Sequence, residues 1–101
     1  MNMQQMVQQM QKLQREYEKK HALLEAKEFE YTANDAVKVI LKGNLDMVAI
    51  EFKDPELLKD DPEMVSDMIK LAYNGCKELI KKEEDALTNE MQKGAGRGLM
   101  F

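Results

Sequence analysis

The side chains best spaced for chemistry in this 101-residue chain are cations. At 100° per residue, Lys12, Arg15 and Lys19 fall together on a helix, opposite a seam of Met3, Met6, Met10, Leu13 and Tyr17. The same count groups Lys70, Lys77 and Lys81 opposite the apolar face of a second helix. Cations in a row can lie along a polyanion, each displacing a condensed counterion from a phosphate. The alternative is a solvated surface laced with i,i+4 pairs, here Glu16–Lys20, Glu78–Lys82 and Lys81–Asp85. Spacing alone leaves both readings open. Lys38 and Lys42 share a strand face, where they either add a third positive patch or guard a sheet edge.

The other reactive residue types form no working set. His21 is the sole histidine, with no second metal ligand or nucleophile spaced to join it. Cys76 lies mid-helix on an apolar face, away from the helix N-terminus that would activate a thiol, and reads as buried and inert. Asp54, Glu56, Asp60, Asp61, Glu63 and Asp67 cluster in sequence, but they fit helix caps and first-turn acids. Gly94, Gly96 and Gly98 follow a helix rather than a strand, the wrong context for a phosphate loop. Without a nucleophile–base pair, a metal cluster or a phosphate loop, the chain is expected to be no enzyme, to hold no cofactor or metal, and to take no small-molecule substrate.

The elements that must position the cations are legible from periodicity. Apolar steps of three and four predict a helix from Met3 to about Leu24. Its seam is narrow and suits one partner helix, and its methionines fit packing or dimer contact better than an adaptable docking surface. Phe29, Tyr31 and Ala33 then alternate with Glu28, Glu30 and Thr32, a period of two that predicts a strand. Asn34-Asp35 supplies a turn, and Val37, Val39 and Leu41 give a second strand. Gly43-Asn44 suggests a primed hairpin turn into a third strand, Leu45 to Phe52, with Val48, Ile50 and Phe52 on one face. Asp54-Pro55-Glu56 and Asp61-Pro62-Glu63 are two helix starts. The first gives a short helical turn through Leu58, the second a long helix from Pro62 to about Met91. Gly75 inside that helix costs about 1 kcal/mol relative to alanine, so some packing must offset it. The expectation is an α+β fold in one domain, residues 1–93, with a flexible Gly-rich tail at 94–101.

Composition sets bounds. Apolar residues make up 44% and charged residues 34% of the chain, a globular balance. No apolar run nears the roughly 20 residues of a membrane-spanning helix, so no membrane partner is expected. The N-terminus lacks a basic segment followed by an apolar one, and a single cysteine fits a reducing cytoplasm. The net charge of −4 opposes nucleic-acid binding unless the cations are gathered locally.

The stretch FKDPELLKDDPEMVSDMIKLAYN, residues 52–74, resembles the YbaB/EbfC family. The resemblance rests on Asp54-Pro55, Leu57-Leu58, Asp60-Asp61, Glu63, Asp67-Met68-Ile69, Ala72 and Asn74. The Met/Gln-rich first helix, the Val37–Val39 strand, the Gly43 turn and the Gly-rich tail ending in Met100-Phe101 agree with it in order. Two features depart from it: Asn34-Asp35-Ala36 stands where members often have a Gly-rich hairpin, and the tail lacks prolines. The resemblance implies a homodimer with projecting helical arms, located in the cytoplasm on the nucleoid. It implies duplex DNA as partner, with effects on nucleoid organisation and gene regulation. By position, Lys12, Arg15, Lys19, Lys77 and Lys81 would be the DNA-binding residues, mainly through phosphates. No pattern of a base-reading recognition helix stands out, so any sequence preference is expected from groove shape. The other reading is a dimeric protein-interaction adaptor that does not bind DNA.

Overall fold

A computed structural model describes residues 2–99. The order is α1 (Met3–Ala26), β1 (Glu28–Ala33), β2 (Val37–Lys42), β3 (Met47–Phe52), α2 (Glu56–Asp60) and α3 (Pro62–Leu99). The three strands form an antiparallel meander with β2 in the centre. This is the expected α+β class with the elements in the expected order, although the third strand starts at Met47 rather than Leu45.

Local chemistry explains most boundaries. The Asn2 side chain accepts from the Gln5 amide at 2.8 Å and starts α1. Asp61 accepts from the Met64 amide at 3.1 Å and starts α3, with Pro62 at the first helical position. Asn34 and Asp35 both take positive φ, 50° and 55°, the geometry of a primed two-residue hairpin. The β2–β3 turn differs from expectation. Its left-handed residue is Leu45, φ 75°, and no glycine among the described residues has positive φ. Gly43 serves closeness instead: a β-carbon there would fall 1.9 Å from the carbonyl oxygen of Leu24. Its amide donates to the Lys27 carbonyl at 2.9 Å, and the Asn44 amide donates to Glu25 at 3.2 Å. The turn thus caps the C-terminal end of α1, where helical carbonyls lack partners of their own.

The core lies between one face of the sheet and α3. Phe29, Ala33, Val37, Val39 and Leu41 from the sheet meet Met68, Ala72, Cys76 and Ile80 from the helix. Ile50 and Phe52 join them, opposite Val39 and Val37. Val48 does not, because the register shifts between Ile40 and Leu41 and the bulge leaves it exposed. The Tyr31 ring covers Gly75, which is the packing that offsets a glycine inside a helix.

Beyond the sheet, α1 and α3 run together as an arm. The radius of gyration is 19.8 Å and the longest extent 69 Å. A compact domain of this length would have a radius near about 13 Å. The end of α3 is a correction: the glycines predict a stop near Met91, but helical backbone runs to Leu99. Gly94 lies against Leu13, where a β-carbon would sit 2.9 Å from that side chain, so this glycine lets the two helices approach. Residues 100 and 101 of the expected tail lie outside the described residues.

Candidate nucleic-acid interface

The arm begins where the sheet ends. Lys27, at the C-cap of α1, meets Glu83 of α3 at 2.6 Å, Lys20 meets Glu90 at 2.5 Å, and Leu13 reaches Gly94. The helices are therefore antiparallel, with α1 returning along the distal half of α3. Leu13 and Tyr17 of the seam are half-buried and Leu24 is buried. The seam fails toward its start, where Met3 is 81% and Met10 43% exposed.

Lys12, Arg15 and Lys19 lie on the opposite side of α1, all exposed. None forms an ion pair with an acid among the described residues. The sequence-local pair Glu16–Lys20 is not made; Lys20 crosses to Glu90 instead. That hydrogen bond and the charge behind it hold the Lys20 pKa above its ordinary value. The pairing of Lys20 and Lys27 with α3 clamps the arm and leaves the other three cations of α1 uncommitted.

Lys77 and Lys81 are exposed on α3 but do not join this group. The arm starts at Glu83, so both sit on the half of α3 that backs the sheet, contrary to the expectation that the arms carry them. Counted round each helix from the residues at the α1–α3 seam, the two stripes lie about 130° away in opposite rotational senses. In an antiparallel pair this turns them to opposite sides of the molecule. The Lys77 ammonium lies 5.5 Å from the centre of the Tyr73 ring. Glu63, Asp67, Glu78 and Asp85 share the outer surface of α3 with the lysines, so its field is mixed.

In the third candidate patch Lys38 is neutralised, while Lys42 stays exposed with no ion pair among the described residues. Lys38 lies 3.1 Å from Glu30 and 3.8 Å from Glu51, one on each neighbouring strand. Hydrogen bonding to Glu30 raises its pKa first, then the charge of the same group. Cross-strand register brings these acids together, since Thr32 and Glu51 are the partners of Lys38.

His21, Cys76, Asp54 and Asp61 make structural contacts. His21 stacks on Tyr17, with ring centres 5.6 Å apart, and approaches Glu25 at 3.1 Å. Cys76 is buried against the sheet, its thiol donating to the Val39 carbonyl at 3.1 Å, and burial pushes its pKa up. Asp54 and Asp61 accept from the Glu56 and Met64 amides, as capping residues do. No group of three or more His, Cys, Asp or Glu side chains gathers as a metal site among the described residues. No helix among them is long and apolar enough to cross a membrane.

The sequence model of the YbaB/EbfC DNA-binding family matches residues 1–97. A nucleoid-associated protein from Alkaliphilus metalliredigens is 37% identical over 95 residues, covering 89% of this chain and 83% of that one. Nucleoid-associated proteins from Clostridium kluyveri and Pelotomaculum thermopropionicum are 36% and 38% identical over 96 residues. Each match covers 94% of this chain, with 82% and 89% of theirs. An uncharacterised Helicobacter pylori protein of known crystal structure shares the fold, with a TM-score of 0.74 at 17% identity, over 91% of this chain and 98% of that one.

Proposed function

This chain belongs to the YbaB/EbfC DNA-binding family, and from that premise we propose that it binds duplex DNA as a homodimer, mainly through phosphate contacts. The observation that carries the reading is the outer surface of α1. Lys12, Arg15 and Lys19 stand there without ion-pair partners among the described residues, at one end of a molecule whose net charge is −4. Local attraction to a polyanion then outweighs the overall repulsion. Lys77 and Lys81 supply a secondary set, weakened by the acids around them. Exposed Met3, Val7, Met10, Met47 and Val48 support self-association, because a second copy would cover them. The relatives' names support a place on the nucleoid; a cytoplasmic location and a role in nucleoid organisation and gene regulation are part of the same proposal. The protein acts by binding and catalyses no reaction.

Gel retardation of a random duplex over a salt series tests this. Three phosphates neutralised by each protomer of a dimer give a log–log slope of roughly −5. A flat response overturns the reading. The exposed Met3 and Met10 also fit an adaptor that docks another protein. Specific capture of one protein, with no DNA retardation at low salt, would favour that reading.

A further inference from the structure

The surface of α1 that carries the cations is longer than the cations themselves. At 100° per residue, Gln4, Gln8 and Gln11 precede Lys12, Arg15 and Lys19 on the same side, and Ala22 and Ala26 follow. All eight are exposed, on the side turned away from α3. The side-chain amides of the three glutamines make no hydrogen bond with any described residue. Glu16 and Glu18 stand at the margins, so the centre carries amides, positive charge and two alanines but no acid. Counted from the Leu13–Gly94 contact, Gln8 is level with Leu99, and Gln4 projects past the described end of α3.

These features fit one ligand surface. A helix of about 10–12 Å diameter enters the major groove of B-DNA, about 12 Å wide. A glutamine amide pairs with both N6 and N7 of adenine there, a donor–acceptor match no other base offers in the same arrangement. Cations one to three turns further along reach phosphates, and small alanines beyond them let the helix lie close. We propose that the outer surface of α1 reads base edges, Gln4, Gln8 and Gln11 addressing adenines in the major groove while Lys12, Arg15 and Lys19 hold the flanking phosphates. The inference rests on the DNA-binding reading above and adds direct readout, where the sequence predicts preference from groove shape alone.

The test is selection from a random duplex library, followed by binding to the selected site and to unselected duplex. The wild-type protein is expected to enrich sites with adenines at fixed spacing. The triple variant Gln4→Ala, Gln8→Ala, Gln11→Ala should lower the preference for that site at least about tenfold, the scale of one lost base contact. Its affinity for unselected duplex and its salt slope should stay unchanged, because the amides carry no charge. Alanine is the strongest helix former, so α1 is retained. Replacing adenine with 7-deazaadenine in the site should weaken wild-type binding and leave the variant unaffected. No enriched site, or a preference that survives both changes, overturns the inference. Failure of the wild-type protein to bind any duplex overturns the DNA-binding reading itself.

Discussion

The ring of Tyr31 lies so close to the backbone of Gly75 that a β-carbon at that position would sit 2.4 Å from two ring carbons. A glycine that weakens α3 by its own propensity is thereby what lets β1 pack on it. In an unconstrained helix, Gly75→Ala would stabilise by about 1 kcal/mol. Here it should destabilise by about 1–3 kcal/mol, the usual cost of overpacking, read as a lower urea midpoint. Adding Tyr31→Ala should recover much of that loss relative to Tyr31→Ala alone. A stabilised single variant would contradict the packing.

Leu45 holds φ at 75° with its side chain 45% exposed. Leu45→Gly removes the clash between the β-carbon and the backbone, and Leu45→Asn offsets it by local side-chain hydrogen bonding, each giving up little buried surface. The unfolding free energy should rise by about 1 kcal/mol. An unchanged or lower value in both variants would mean that the leucine packs more than its exposure suggests.

Charge reversal separates the two lysine sets. Lys12→Glu with Arg15→Glu should abolish retardation of duplex DNA at moderate salt, with thermal unfolding unchanged because both side chains are exposed. Lys77→Glu with Lys81→Glu should weaken binding less, because acids already share that surface. Equal losses from the two pairs would place the interface on both sides of the molecule.

The Lys20–Glu90 bond makes the arm sensitive to alkali. Its folded-state pKa lies above the ordinary value of 10.5, so the contribution is complete below that pH and is lost as pH rises through the folded value. Because the pair is exposed, the effect is small: thermal unfolding should show a slightly less stable protein above about pH 10.5, with stability unchanged between neutral pH and that value. The exchange Lys20→Glu with Glu90→Lys should recover the small loss of stability that either single change causes.

Cys76 offers a probe of folding. Burial raises its pKa above the ordinary 9.0, so the folded protein keeps the neutral thiol where an unfolded chain ionises. Stability from this group is therefore present below pH 9.0 and falls as pH rises further. Alkylation at neutral pH should proceed only as fast as the protein opens, and should accelerate in urea in step with unfolding. Rapid labelling of the native protein would show that the thiol is accessible.

The sequence alone settled what depends on neighbours along the chain. Alternation of Phe29, Tyr31 and Ala33, the turn residues Asn34 and Asp35, and the capping acids Asp54 and Asp61 all act within a few residues, so period and chemistry exposed the element order. The stripe Lys12, Arg15 and Lys19 was legible for the same reason, because helical phase is local. Tertiary structure decided what depends on residues far apart. It took Lys20 to Glu90 and placed two acids beside Lys38. It turned Gly43, Gly75 and Gly94 from apparent turn or breaker signals into points of close approach, and separated Lys77 and Lys81 from the arm. Each outcome is set by the register of one element against another, through contacts that no spacing within a single element encodes.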